Sequence, residues 1–164
     1  MIRPGPSGAV QDISAPATAP PVPLPSVAAA AAAVRGRGLR LSSARRLVLE
    51  ALFAADRPVT ADDLAGGLGG RVPCSDLASV YRNLETLEQL GVVHHVHAGH
   101  GPGLYALARG REYVLCERCG DLRALPPAAL APVRDALRDA LGYHARFTHF
   151  PLVALCGECA TTRD

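Results

Sequence analysis

The sequence predicts an α+β protein: an N-terminal winged helix-turn-helix followed by a small C-terminal α/β domain. Three observations lead there. Helical apolar periodicity recurs in three segments across residues 41–90, each bounded by capping or breaking residues. Two strand-like runs follow at once, residues 92–97 and 104–107, joined across His100-Gly-Pro-Gly. Two Cys-x-x-Cys pairs, Cys116/Cys119 and Cys156/Cys159, then bracket a strand–helix–strand pattern and use four of the five cysteines.

Along the chain, residues 1–26 are rich in proline, alanine and serine and bury too little apolar surface to fold, so they read as a disordered tail. An Ala-rich helix is expected over residues 26–35, ended by Gly36 and Gly38. A helix capped by Ser42 or Ser43 follows, with Leu47, Leu49, Ala51 and Leu52 as its apolar stripe, and Asp56-Arg-Pro breaks it. Thr60 opens a short helix with Asp63 three residues on, and Gly66, Gly67, Gly69 and Gly70 stop it. A longer helix spans about residues 75–90, with Leu77, Val80, Leu84, Leu87 and Leu90 on one face and Gly91 as its stop. Beyond the wing come strands at 112–115 and 121–125, a helix at 131–141 closed by Gly142, and a last strand at 146–155. The domain boundaries expected are 1–26 for the tail, 27–97 for the winged helix with its hinge, and 98–164 for the second domain.

Composition narrows the function. The chain has 164 residues, 49% hydrophobic, yet only 4% aromatic and without tryptophan. So small and Ala-rich a core is marginal, and a metal staple would support it. No segment reaches the roughly 18–20 apolar residues of a membrane span, and the proline-rich start is a poor signal peptide. A cytoplasmic location follows as the expectation. Thiols stay reduced there, so paired Cys-x-x-Cys motifs favour metal over disulfide, with a redox pair as the alternative. The net charge of +2 decides nothing, but its distribution is informative: Arg35, Arg37, Arg40, Arg45 and Arg46 crowd together.

Two knuckles of two thiolates complete a tetrahedron, the way structural zinc is held, which nominates Cys116, Cys119, Cys156 and Cys159. The third helix is the candidate DNA reader. Ser75, Ser79, Tyr81, Arg82 and Asn83 lie near its start, where such a helix meets base edges and phosphates, and the arginine cluster would neutralise phosphate. The alternative is a merely solvated face. Four histidines, His94, His95, His97 and His100, form the other constellation. On a strand, His95 and His97 share one side, about 6–7 Å apart, and His94 points the other way. Imidazoles suit zinc, nickel, copper or iron; a polar wing with chance histidines is the competing reading. Cys74 reads as a small buried hydrophobe and His144 as a surface residue. His149 reads as a satisfied core histidine unless the fold brings it to His95 and His97.

Several stretches together resemble the ferric uptake regulator family of metal-responsive repressors. They are Gly38-Leu-Arg-Leu-Ser-Ser-Ala-Arg-Arg-Leu-Val-Leu-Glu, Ala78-Ser-Val-Tyr-Arg-Asn-Leu-Glu-Thr-Leu, Gly91-Val-Val, Val114-Leu-Cys-Glu-Arg-Cys-Gly and Cys156-Gly-Glu-Cys. The resemblance implies a winged-helix DNA-binding domain, a C-terminal dimerisation domain, and a homodimer on a palindromic double-stranded operator. It implies DNA contacts from Tyr81 and Arg82, with support from Arg40 and Arg45. One departure is large. The family's His-rich segment before the first Cys-x-x-Cys corresponds here to Gly110-Arg-Glu-Tyr-Val-Leu-Cys116, without a histidine, and a further family ligand falls at Pro58. The usual inter-domain regulatory site is therefore absent. Instead Val93-His-His-Val-His-Ala-Gly-His-Gly-Pro-Gly-Leu-Tyr resembles the nickel-responsive branch. By that likeness His95, His97 and His149, seven positions before Cys156, form a regulatory site for nickel or zinc.

The leading expectation is a metal-dependent repressor. The alternative is a family member that no longer senses metal, constitutive or switched by its thiols. A zinc enzyme is disfavoured: the nucleobase deaminases need His-x-Glu and Pro-Cys-x-x-Cys, and neither occurs here. Four thiolates would also leave no open position for a reactive water. A zinc-stapled interaction module without DNA is the remaining contrast, separable by the steep salt dependence that phosphate contacts impose.

Overall fold

The computed structural model describes residues 24–162. The expected tail lies outside the described residues as far as residue 23. Leu24, expected within that tail, is instead buried in the core of the first half. Ser26 then caps α1 (Val27–Gly36) by accepting a hydrogen bond from the Ala29 amide, satisfying one of the free donors of the first turn. Ala30, Ala31 and Val34 give α1 its buried face.

Ser42, rather than Ser43, caps α2 (Ser43–Ala54), whose buried face is Val48, Leu49, Ala51 and Leu52. Thr60 and Asp63 close a reciprocal capping box on α3 (Ala61–Ala65). The glycines that follow form a distorted turn, α4 (Gly67–Gly70), with Gly67 at φ 75° and Leu68 at φ 52°. A Cβ on Gly67 would lie 2.3 Å from the Val72 carbonyl oxygen, so only glycine fits. This turn leaves Cys74 exposed, its thiol 3.5 Å from the Gly66 carbonyl, and not buried as its sequence context suggests.

Helix α5 (Leu77–Gln89) is capped by Asp76, whose carboxylate accepts from the Ser79 amide at 2.8 Å. Val80, Leu84 and Leu87 are fully buried against α2 and α3, while Leu77, at the helix start, is 37% exposed. Strands β1 (Val93–Val96) and β2 (Leu104–Leu107) pair antiparallel as the wing, and Val59 bridges to Tyr105 to tie the wing to the helices.

The second half is a three-stranded sheet in the order β4-β3-β5. β3 (Glu112–Cys116) runs antiparallel to β4 (Leu122–Leu125) and parallel to β5 (Leu152–Ala154). Helix α6 (Ala131–Leu141) ends on Gly142 at φ 73°, the left-handed C-cap its sequence predicts. The last strand is shorter than the expected 146–155. Ahead of Pro151 the backbone splits its bonds between two partners: Tyr113 N–H donates to Phe147 O and His97 N–H donates to His149 O. The segment therefore bends between β3 and the end of β1 instead of extending one ladder. A short helix, α7 (Gly157–Thr161), follows Cys156 as its N-cap and contains Cys159, so the second Cys-x-x-Cys pair straddles its start.

Burial is uneven. The helical half holds one large cluster built around Leu49, Leu84, Leu87, Val92 and Val93. Helix α6 buries no residue, and Leu141, Tyr143, Phe150, Val153 and Leu155 are exposed large apolar side chains of this half.

Candidate metal centres and DNA-reading helix

The first Cys-x-x-Cys pair sits where β3 ends in a turn, the second at the start of α7. Ligand atoms of Cys116, Cys119, Cys156 and Cys159 all lie within 4.8 Å of one another. Tetrahedral zinc with Zn–S of about 2.3 Å needs sulfurs about 3.8 Å apart; Cys119 Sγ and Cys156 Sγ are 3.9 Å apart. A disulfide, at about 2.05 Å, would need a different arrangement, and all four thiols are free. Backbone amides of Cys119 and Cys156 point at the buried Cys116 sulfur and lower its pKa to about 6, whereas hydrogen bonding from Cys156 pushes Cys159 up to about 12. Crowded thiols cannot all ionise without a cation, so the donor set fits a soft divalent metal. Arg118 braces the arrangement. Its guanidinium donates to the carbonyls of Cys159 (2.6 Å) and Thr162 (2.7 Å), tying the first knuckle to α7.

His95, His97 and His149 form the second group, again with ligand atoms within 4.8 Å of one another. Their ring centroids are 4.2 Å (His95–His149), 4.9 Å (His97–His149) and 5.1 Å (His95–His97) apart. Two come from the wing strand and its end, one from the segment after α6. The His97-to-His149 backbone bond holds those two segments side by side. Burial, followed by the neighbouring His95 and His97, lowers the pKa of His149, which favours the neutral imidazole a metal needs. Three convergent imidazoles at this separation fit one divalent ion of the late first row. His149 is therefore not an isolated core histidine, and His100 lies exposed in the wing turn, outside the group.

His94 faces the other way, as strand alternation requires. Its Nε2 lies 2.9 Å from the Tyr113 hydroxyl. Burial lowers the His94 pKa to about 4 and raises that of Tyr113 to about 12, so both are neutral near pH 7. Beside them, buried Glu112 pairs with Arg134 and accepts from the Phe147 amide. Glu112 and Tyr113 thus occupy the stretch that lacks histidines with a neutral clasp and an ion pair. Sequence reasoning passed over both pairs, and it passed over Glu88 too, whose carboxylate bonds His95 Nδ1 from the last turn of α5.

On α5, Tyr81 and Arg82 are exposed and Ser79 is half-buried. Asn83, which the sequence places on the reading face, is instead buried and donates to the Ser79 carbonyl at 2.8 Å. Arg40 is exposed, and its carbonyl accepts from Arg45 Nη1 at 2.6 Å. Arg45 Nε is shielded from solvent without a partner among the described residues.

Known proteins place this architecture. The peroxide operon regulator of Bacillus subtilis (strain 168) is 26% identical over 124 residues, covering 75% of this chain and 86% of its own length. The structure of the Helicobacter pylori ferric uptake regulator superposes with a TM-score of 0.61 at 15% identity, over 85% of this chain and 97% of that one. A zinc uptake regulator solved with zinc and DNA gives 0.54 at 25% identity, over 82% and 92%. With residues 36–145, more than half of the sequence, also matching the family model, the chain belongs to the ferric uptake regulator family.

Proposed function

We infer that the chain is a metal-dependent transcriptional repressor that binds a palindromic operator as a homodimer. His95, His97 and His149 hold its regulatory metal, nickel or zinc, and Cys116, Cys119, Cys156 and Cys159 hold a structural zinc. The observation that carries this reading is the convergence of three imidazoles from two separate segments of the chain. The nickel-responsive branch supports nickel, because the His-x-His on the wing and the later histidine match it in spacing.

The reading divides the chain after the wing, beyond residue 107 and not at residue 97, because β2 pairs with β1 and Tyr105 bridges to Val59. The winged helix presents Ser79, Tyr81, Arg82, Arg40 and Arg45 to DNA, and the second half dimerises through the apolar face of α6 and the β5 edge. When bound, the regulatory metal would cross-link the two halves. His95 and His97 move with α5 through the wing, whereas His149 moves with the second half. Bringing the three together fixes the angle between the halves, and so the separation of the two α5 helices in a dimer. A palindrome requires that separation to match half-sites about 34–36 Å apart, so only the closed arrangement binds tightly. The chain acts in the cytoplasm, where its thiols stay reduced; no helix among the described residues is long and apolar enough to cross a membrane.

Fluorescence anisotropy on operator DNA tests the reading, using protein that carries one zinc per chain on its cysteines, with and without added nickel or further zinc. Tight binding should require the added metal; equal affinity with neither and with both contradicts it. One observation favours a second reading, a regulator that does not sense metal or is switched by its thiols: Glu112 and Tyr113 fill the stretch where the family resemblance implies ligands. Regulation unchanged after replacing both His95 and His97 by alanine would support it.

A further inference from the structure

Glu88 occupies an unusual place. It lies in the last turn of α5, the helix that carries Ser79, Tyr81 and Arg82, and its carboxylate bonds Nδ1 of His95. Both side chains are about a third exposed or less, Glu88 at 32% and His95 at 28%. Glu88 is outside the group of three imidazoles whose ligand atoms all lie within 4.8 Å of one another, and its carboxylate meets His95 at Nδ1. Seven residues separate it from Tyr81, which puts both on one side of the helix, about 10 Å apart along the axis.

We propose that Glu88 is the positioning residue that links the histidine site to the DNA-reading helix. The inference rests on the reading that His95, His97 and His149 hold the regulatory metal. Its chemistry is that of a carboxylate behind a metal-binding histidine. The carboxylate accepts the Nδ1 proton, which fixes the tautomer, frees Nε2 for the metal and raises its basicity. What distinguishes this carboxylate is where it is anchored. His95 is also held by pairing with Tyr105 in the wing, and Tyr105 bridges to Val59 ahead of α3. The imidazole is thereby gripped from the wing by its backbone and from α5 by its ring. Any shift of His95 toward His149 pulls on the C-terminal end of α5 through Glu88. A well-ordered helix transmits that displacement to Tyr81 and Arg82, because its turns are rigid over two repeats.

The test uses full-length, zinc-loaded protein with nickel as the probe, comparing wild type, Glu88→Ala, Glu88→Gln and His149→Ala. Nickel affinity by calorimetric titration should fall about 10–100-fold in Glu88→Ala, the cost usual for losing such a partner. Glu88→Gln keeps the shape and an acceptor for Nδ1 without the charge and should fall in between; full recovery to wild-type nickel affinity would mark a packing effect and overturn the role of the carboxylate. At saturating nickel, Glu88→Ala should bind operator more weakly than wild type while matching its weak nickel-free binding. Nickel affinity within about twofold of wild type, or operator affinity unchanged at saturating nickel, overturns the proposal. So does an equal loss of operator binding with and without nickel. If His149→Ala binds nickel as tightly as wild type, the histidine site itself fails and this proposal falls with it. If His149→Ala loses nickel and Glu88→Ala does not, only the role of Glu88 is refuted.

Discussion

Replacing Tyr113 with phenylalanine removes a single oxygen from a ring that is 2% exposed. That oxygen lies 2.9 Å from His94 Nε2, on the side of the wing strand opposite the His95 ring. The phenyl ring fills the same space, so the loss is the hydrogen bond and not the packing. Leaving a mostly buried imidazole nitrogen without a partner costs about 1–3 kcal/mol. For a chain of this length that is a fall of about 2–12 °C in melting temperature. Replacing both partners, as His94→Leu with Tyr113→Phe, removes the orphaned group and should recover most of the loss, because exchanging both members for apolar groups is close to neutral. Thermal unfolding followed by circular dichroism, at fixed protein and zinc concentration, measures both effects. A shift of less than about 1 °C in the single variant, well below what the loss of one buried hydrogen bond costs a domain of this size, would refute the clasp as an energetic link between wing and second half.

Other consequences follow from the same geometry. Burial holds the folded pKa of His94 at about 4 against 6.5 in the unfolded chain, so the unfolded state takes up the proton first. The stability that this neutral histidine preserves is whole above pH 6.5 and is lost as the pH falls toward 4. Urea titrations at pH 7 and pH 5 should show wild type losing about 2 kcal/mol more than His94→Leu, and an equal loss counts against the burial. Cys119→Ser breaks the tetrahedron in the half that buries least, and should abolish zinc retention and weaken the dimer; wild-type zinc content with intact sedimentation as a dimer would contradict it. Arg82→Ala should weaken nickel-dependent operator binding by about tenfold or more without changing nickel affinity, as read by anisotropy and calorimetry.

Much of this architecture was legible because its determinants are local. Ser42, Thr60 with Asp63, and Gly142 mark helix ends by chemistry that acts within one turn. Each Cys-x-x-Cys pair defines its own knuckle, so four cysteines sufficed to nominate one site. His95 and His97 could be assigned to one side of a strand from alternation alone. What the sequence hid depends on contacts between distant segments. The 146–155 stretch reads as a continuous strand, yet its carbonyls serve both β3 and the wing. Asn83 looks like a reading residue until its amide is seen bonding one turn back within its own helix. Cys74 is exposed because a run of left-handed glycines turns the chain ahead of it. The His94–Tyr113 and Glu88–His95 pairs have no periodic signature, and His149 acquires meaning only beside two imidazoles from another segment.

The central claim is that the regulatory metal sits among His95, His97 and His149 and switches DNA binding from there. The most direct test is operator binding by full-length, zinc-loaded His149→Ala at saturating nickel, beside wild type in the same anisotropy titration. The account predicts that the variant stays at the weak, nickel-free affinity of the wild type while keeping its zinc and its dimer. Nickel-stimulated binding equal to that of the wild type would contradict it.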